Sequence, residues 1–352
     1  MLSTKNKNFV GIDIGADSIK IVCLKKEGGK PVFKHSIIDR NPVEIFDGAR
    51  ILNPGNLGTR LKDILNKHNI QAAAAACALP AAVVFTKKFY VPISVSKSKL
   101  NKLMAEEAQK CIPYDINAVN YDCQICGIAN NMQVEVLVVA VKHDVVSDYI
   151  EVFKQAGLEL SIIDVASFAL EKAFSFNYPD IKDQHVVLIN VGHRSTEMVV
   201  MYRGKVLSYP DCEVGGKLYV ESLAEVFQIT LREADAVFRG EVDNVYDKNL
   251  YQQTVDNVTK HIAAALIDKL KKQQPEIALG DIDVVYLTGG GVTNGNLLYE
   301  FSIKSNLSCL QMYALKNIPV AKTEGPTSEP DKKSLTFIGV AVGLALRLSD
   351  EE

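Results

Sequence analysis

Phe9-Val10-Gly11-Ile12-Asp13-Ile14-Gly15-Ala16-Asp17-Ser18-Ile19-Lys20 runs an apolar strand into a polar residue and a glycine turn, then resumes as a second apolar strand to Leu24. Val186-Val187-Leu188-Ile189-Asn190-Val191-Gly192-His193-Arg194-Ser195-Thr196 does the same much later, with its return strand at Glu197 to Tyr202. In both stretches a polar residue ends the apolar run and a glycine lies two residues on. A strand, a tight Gly turn and a strand back make a β-hairpin. Its tip offers backbone N–H groups and a Ser or Thr hydroxyl to an anion. One such hairpin is weak evidence; two suggest a duplicated domain that closes on a polyphosphate from both sides.

A third element joins the pair. Val284-Val285-Tyr286-Leu287-Thr288-Gly289-Gly290-Gly291-Val292 is a buried-type strand that enters three glycines, with a helix-like segment behind it. Three glycines let backbone approach a flat ligand where a Cβ would collide. The same glycines also suit a tight strand-to-helix turn, so this element takes its meaning from its order behind the two hairpins.

That order resembles the actin-like ATPase superfamily, which takes in actin, the sugar kinases, the heat-shock chaperone ATPase domain and the bacterial cell-division protein FtsA. The three segments are similar to its phosphate-1, phosphate-2 and adenosine motifs. Further stretches resemble one branch more closely, the PilM family of type IV pilus assembly proteins. They are Val91-Pro92 before a charged helix, Ile112-Pro113-Tyr114-Asp115, Val134 to Val141, Ala156-Gly157-Leu158-Glu159 and Ile163-Asp164-Val165-Ala166-Ser167-Phe168-Ala169-Leu170. The resemblance covers nearly the whole chain. It implies an α/β fold of the actin-like (ribonuclease H-like) kind: duplicated domains around a nucleotide cleft, with an inserted α+β subdomain.

Composition fits a soluble protein large enough for two domains, each subdivided, within 352 residues. The net charge of −3 gives no global basic field, so nucleic acid is not an expected partner. The sequence holds no apolar run of about 18 residues, and the polar, lysine-bearing start is unlike a signal peptide. Seven cysteines without a framework suit a reducing cytoplasm. Cys123-Gln124-Ile125-Cys126 has no second pair at zinc spacing, and residues three apart on a strand point to opposite faces.

Along the chain, residues 9–24 read as a hairpin and 31–39 as a third strand. Leu57, Leu61, Ile64 and Leu65 recur at helical spacing within a helix at 56–69. Gln71 to Pro80 is alanine-rich and favours helix by propensity. It lies where a βαβ unit needs a buried parallel strand, and strand is the expectation. Residues 81–163 read as the inserted subdomain: strand 83–90, helix 98–110, strands 119–128 and 133–141, helix 143–156 and strand 158–163. Residues 164–174 read as a helix. The second meander covers 186–209, and helices follow at 217–227, 231–238 and 251–272. Strand 283–288, helix 294–304, a short strand at 309–312, a loop at 323–333 and a closing helix at 335–348 complete the chain. The expected domains are 1–80 with 164–185 and 334–352, the insertion 81–163, 186–214 with 283–333, and a helical part 215–282.

The resemblance implies roles residue by residue. Asp13 would serve Mg²⁺, which keeps several waters and takes one or two carboxylates; a turn aspartate that bonds its own backbone is the alternative. Gly15, Ala16, Asp17 and Ile19 would offer N–H groups, Ser18 its hydroxyl, and Lys20 a point charge to the β/γ-phosphates. Gly192, Ser195 and Thr196 would form the second clamp. Asn190 stands where the family usually has Asp. It reaches a metal only through water and brings no negative charge, which implies weak Mg²⁺ binding and weak hydrolysis. Asp164 occupies the place of the residue that positions the hydrolytic water, or else caps a helix together with Ser167. On the base side, Gly215, Gly216 and Lys217 open a helix. Asp235 and Arg239 lie where relatives hold ribose and adenine, Phe238 stands where they carry Lys, and Gly289, Gly290 and Gly291 would lie under the base.

Three functions compete. The first is a cytoplasmic, ATP- and Mg-dependent scaffold of the type IV pilus inner-membrane complex. It would dock the cytoplasmic N-terminal tail of a PilN-like membrane protein and meet other pilus proteins, including the assembly ATPase, reaching the membrane through partners alone. The second is an FtsA-like filament former, against which stands the short acidic end Leu346-Arg347-Leu348-Ser349-Asp350-Glu351-Glu352. The third is a sugar-kinase-type phosphotransferase, which needs a substrate-deprotonating Asp in the cleft.

Overall fold

A computed structural model describes residues 8–350 apart from 42–43, 49, 71, 73, 94–95, 131, 182, 243–246, 274–276, 293–295 and 322–333. The loop expected at 323–333 therefore lies outside the described residues. The chain divides into two compact units. One takes Met1–Pro42, Ala74–Ala78 and Ser161–Glu352; the other takes Val43–Ala73 and Leu79–Leu160.

In chain order, β1 (Phe9–Ile14), β2 (Ser18–Glu27) and β3 (Lys30–Arg40) form the first meander, followed by the short β4 (Phe46–Asp47) and β5 (Arg50–Ile51). Helix α1 (Pro54–Lys67) starts where the Asn53 side chain accepts the Asn56 N–H and Pro54 takes the first turn. Then come β6 (Ala74–Leu79), β7 (Val84–Pro92), α2 (Lys97–Cys111), β8 (Val119–Asn130), β9 (Gln133–Lys142) and α3 (His143–Ala156). Gly157 stops α3 in the left-handed region at φ 78°. Next are β10 (Glu159–Val165), α4 (Ala166–Asn177), β11 (His185–Val191), β12 (Thr196–Tyr202), β13 (Lys205–Ser208), β14 (Asp211–Cys212) and α5 (Lys217–Phe227). Helix α6 (Leu231–Phe238) opens on a capping box between Thr230 and Glu233. The chain continues through α7 (Lys248–Gln273), β15 (Val284–Thr288), α8 (Leu297–Ser305), β16 (Cys309–Gln311) and α9 (Gly339–Asp350).

The first unit holds two sheets of like order among the described residues: β3-β2-β1-β6-β10 and β13-β12-β11-β15-β16, with β14 also on β12. In each, a meander's first strand takes a parallel neighbour: β6 beside β1, β15 beside β11. Alanine-rich β6 is a strand because it is buried between neighbours on a sheet whose face is covered. Small residues there and on α9 permit very close packing. A Cβ on Gly11 would stand 2.0 Å from the Ala341 carbonyl oxygen, and one on Gly343 would stand 1.7 Å from that of Ala169. Thus β1, α9 and α4 meet backbone to backbone. The core they share runs through Phe33, Leu170, Phe174, Leu188, Tyr286 and Leu344. The other face of the second sheet packs Ile189, Val200 and Leu287 against Tyr219, Ile262, Leu266 and Phe301 from the helices.

In the second unit, α2 covers one face of the antiparallel sheet β7-β9-β8, with Met104, Ala108 and Ile112 on Phe89, Val136 and Val138. Two features differ from expectation. The strand expected at 158–163 as part of the insertion is β10, and it joins the first sheet beside β6. Its Ile162 packs into the core under α4 and α9, which outweighs its nearness in sequence to α3. Helix α1, expected with the first sheet, groups with the insertion. It lies so close to α3 that a Cβ on Gly58 would be 2.5 Å from the Val152 carbonyl oxygen.

Candidate nucleotide site

The two hairpins close with the same bond. The Gly15 N–H donates to the Ser18 carbonyl at 3.0 Å, and the Gly192 N–H donates to that of Ser195, also at 3.0 Å. These N–H groups are taken up inside the turns, and Ile19 is paired on both sides, with Ile14 of β1 and Asp39 of β3, so the tip donors of the first clamp are those of Ala16 and Asp17. Ser195 is the structural counterpart of Ser18. Thr196, expected in the clamp, is fully buried and donates its hydroxyl to the Val214 carbonyl at 2.7 Å. It anchors the segment that leads into α5 and cannot serve a phosphate as well.

Asn41 braces the first turn from behind. Its side-chain amide donates to the Gly15 and Ala16 carbonyls at 2.9 and 3.1 Å, and its backbone N–H donates to that of Asp17 at 2.8 Å. With the carbonyl oxygens held on one side, the turn has a fixed shape before any ligand arrives. Sequence reading missed Asn41, although Asn-Pro after a strand is a turn signal.

The strand pair behind each turn carries the polar residues. Asp13 is directly opposite Lys20, and Lys20 Nζ lies 3.0 Å from Asp13 Oδ2, half-buried. Asn190 is directly opposite Glu197 and donates from Nδ2 to Glu197 Oε2 at 3.4 Å. Glu197 is 7% exposed and was read from sequence only as the start of a strand. The signal was there: both pairs are seven residues apart. Asn190 itself brings no charge, and Glu197 sets a carboxylate directly opposite it.

The third glycine element packs on the second hairpin. A Cβ on Gly289, where φ is 95°, would lie 2.5 Å from the Val191 carbonyl oxygen and 2.6 Å from Asn190 Oδ1. One on Gly291 would lie 2.5 Å from Val191 Cγ1. The chain itself therefore requires those two glycines. Among the described residues a Cβ on Gly290 would meet nothing nearer than Phe337, at 3.8 Å, so of the three glycines this one has room beside it.

The start of α5 is also committed. Gly216 and Lys217 donate their N–H groups to the Gly192 and His193 carbonyls at 2.9 and 2.7 Å. A Cβ on Gly215 would fall 2.6 Å from the His193 carbonyl oxygen. Helix-start N–H groups need acceptors, and here the hairpin supplies them instead of an anion. The Lys217 ammonium pairs with Glu221 at 2.8 Å. These three residues form a seat for the second hairpin, a correction to their expected contact with nucleotide.

On α6, Asp235 holds Arg239 Nε at 2.8 Å through both carboxylate oxygens, and Arg239 Nη2 reaches Asp17 at the tip of the first hairpin. Just beyond α6, Glu241 pairs with Arg40 at the end of β3. Phe238, in the expected Lys position, stacks on Tyr219 in the core at 4.8 Å. His193, at the second tip, feels Asp17, Asp235, Arg239 and Lys217. Burial holds its imidazole below the ordinary 6.5, against the upward pull of the two carboxylates. The two tips and α6 thus form one electrostatic cluster.

Asp164 fits neither role expected of it. Its Oδ1 accepts the adjacent Val165 N–H at 2.8 Å, and its Oδ2 accepts Arg347 Nε from α9 at 2.7 Å. Helix α4 begins a residue later, with no side-chain cap. The carboxylate is part of the β10–α9 packing. Ser167, expected to share the cap, has a buried hydroxyl with no partner.

The residues suit a phosphate-bound Mg²⁺. Among the described residues no group of three or more His, Cys, Asp or Glu side chains could cage a metal alone. Mg²⁺ on a nucleotide needs no such cage, because phosphates and water complete its octahedron around one or two carboxylates. Asp13 at the first turn meets that need.

The family pattern described as Type IV pilus assembly protein PilM matches residues 11–349. The chain belongs to the PilM family. A solved PilM-PilN type IV pilus biogenesis complex matches it with TM-score 0.84 and 22% identity, over 96% of this chain and 97% of that chain. The ethanolamine utilization protein EutJ from Carboxydothermus hydrogenoformans matches at 0.57 and 16%, over 97% and 90%. MreB5 of Spiroplasma citri bound to ADP matches at 0.55 and 13%, over 99% and 98%. At these identities the likeness establishes the fold: this PilM family member is an α/β protein of the actin-like class. No described helix is long and apolar enough to cross a membrane.

Proposed function

We propose that this PilM family member is an ATP-binding scaffold at the cytoplasmic face of the inner membrane, held there by the N-terminal tail of a PilN-like protein. The observation that carries the nucleotide half is the matched closure of the two hairpins, with the Asp13–Lys20 pair behind the first turn and Arg239 joining α6 to its tip. The MreB5 protein of the same fold was solved with ADP. Lys20 would leave Asp13 for the β/γ-phosphates. Ser18, Ser195 and the N–H groups of Ala16 and Asp17 would complete the clamps. Gly290 would give room to the base, and Asp235 and Arg239 would border it. Bound Mg²⁺ would offset phosphate charge beside Asp13. Asp164, the residue expected to orient a water, is tied to Arg347, and turnover should stay below about 1 s⁻¹.

The partner half draws on the PilM-PilN complex among the structural relatives. In the inserted subdomain the sheet has two edges, β7 with Tyr90 53% exposed and β8 with Ile128 65% exposed, and either edge suits an extended tail with an apolar anchor, so the test changes both. Excision of residues 81–163 would remove β10 from the first sheet, so point variants are the cleaner probe. Synthetic N-terminal tails of candidate membrane proteins should bind the full chain, and Tyr90→Ser with Ile128→Ser should weaken that binding without changing the Mg-ATP melting shift. A tail that binds the double variant with unchanged affinity places the docking site elsewhere.

A further inference from the structure

The two hairpins carry the same chemistry with the strands exchanged. In the first, the outgoing strand has the carboxylate, Asp13, and the returning strand has the nitrogen donor, Lys20. In the second, the outgoing strand has the nitrogen donor, Asn190, and the returning strand has the carboxylate, Glu197. Directly opposed residues of an antiparallel ladder share a face, so Glu197 and Asn190 face the same way. Asn190 donates its amide to Glu197, and its Oδ1 occupies space that only a glycine at 289 leaves open, 2.6 Å from where a Cβ there would stand. An aspartate at 190 would set two carboxylates against each other in a largely buried place, which raises the cost of ionising both. One carboxylate and one amide avoid that conflict and still give the second clamp a negative charge.

Resting on the nucleotide reading above, we propose that Glu197 is the metal-facing carboxylate of the second clamp. It would accept hydrogen bonds from the water shell of the nucleotide's divalent cation, with Asn190, which stands where the family usually has Asp, as its directly opposed neighbour. Arg239 ties the first tip to α6, and Gly216 and Lys217 tie the second hairpin to the start of α5. Mg²⁺ keeps several waters, and a buried carboxylate that accepts hydrogen bonds from them orients the shell without direct coordination. Glu197 is a positioning residue in this scheme.

The test uses the full chain with saturating ADP. Mg²⁺ is titrated while the melting temperature is followed, and the electron paramagnetic resonance spectrum of bound Mn²⁺ is recorded beside it. Glu197→Gln should raise the Mg²⁺ midpoint about tenfold, narrow or shift the Mn²⁺ signal, and leave the ADP shift in EDTA unchanged. Returning the carboxylate to the outgoing strand, in Asn190→Asp with Glu197→Gln, should restore the wild-type midpoint. A Glu197→Gln protein with a wild-type midpoint overturns the inference, as does a double variant no better than the single. Should the single variant fail to fold by circular dichroism, the double variant decides alone: a wild-type midpoint supports the inference and a raised one overturns it. A wild-type ADP shift that ignores Mg²⁺ sinks this inference and leaves the nucleotide reading standing. No ADP shift under any condition sinks both.

Discussion

The first hairpin is braced from within its own sheet, by Asn41 on three carbonyls, while the second is seated on a helix start, by Gly216 and Lys217 on two. The turn bonds are alike, yet their surroundings differ. The first turn meets α6 through the Arg239 side chain, with the Lys20–Asp13 pair behind it. The second is joined to α5 by backbone bonds. A duplicated fold thus ties one turn to a helix by a side chain and the other by its main chain. The lesson is that repeat symmetry in the backbone does not carry over to the roles of side chains. Thr196 matches Ile19 in position and is structural, while Glu197 matches Lys20 and has the opposite charge.

The comparison breaks most severely at Gly11. Its counterpart in the second copy is Leu188, a core residue, whereas at Gly11 the α9 backbone approaches β1 too closely for any Cβ. Gly11→Val should cost about 3 kcal/mol or more by overpacking, and Leu188→Ala about 2–5 kcal/mol by loss of volume; urea denaturation measures both. If Gly11→Val is tolerated, the packing of α9 on β1 is wrong.

A smaller effect is expected for ligand binding alone. Lys20→Ala removes a charged phosphate contact, about 1.5–3 kcal/mol, and should weaken ATP roughly tenfold to a hundredfold by isothermal titration with little change in the unliganded melting temperature. Gly290→Val, whose Cβ meets no atom of the described residues nearer than 3.8 Å, should act likewise. Loss of folding in Gly290→Val would show that the position serves the chain and not a ligand.

Smaller again is the tie between the first tip and α6. A double-mutant cycle on Asp17→Asn and Arg239→Gln should give a coupling near 1 kcal/mol or below, because the pair is partly exposed, and it should shrink with salt. A coupling that persists in molar salt would mean the pair is shielded from solvent and the tie is stronger than its exposure implies.

The smallest effect concerns His193. Its folded value is depressed, so its protonation favours the unfolded chain. Stability should be full above the ordinary 6.5 and decline as pH falls below it toward the lower folded value. His193→Asn should flatten that decline in melting temperature between pH 7 and 5. An unchanged profile would place the titration elsewhere.

Much of this was legible in the chain. Both hairpins and the small-residue closing helix follow from local pattern, because each bears its periodicity or its turn chemistry within a few residues; the alanine run before Pro80 reads as strand only from its place in a βαβ unit, against its local propensity. What escaped reading depends on tertiary partners. Nothing local tells that Ile162 will lie under α9 and carry β10 into the first sheet, or that the α5 N–H groups find hairpin carbonyls instead of an anion. Asp164 reads as catalytic by its place in a motif, and only the fold reveals Arg347 beside it. Glu197 is the instructive middle case: the seven-residue offset shared with Lys20 was visible, but its meaning required the strand register.

The central claim is that two hairpins of one closure form a single nucleotide clamp. It is tested most directly by the melting temperature of the full chain with and without millimolar Mg-ATP, beside the Lys20→Ala variant. Mass action predicts a rise in the wild type, since ligand bound only to the folded state at about a hundred times its dissociation constant adds about 2.7 kcal/mol. The variant should show little or no rise. A wild-type protein whose melting temperature does not move with Mg-ATP, or a Lys20→Ala protein that moves as far as the wild type, would contradict the account.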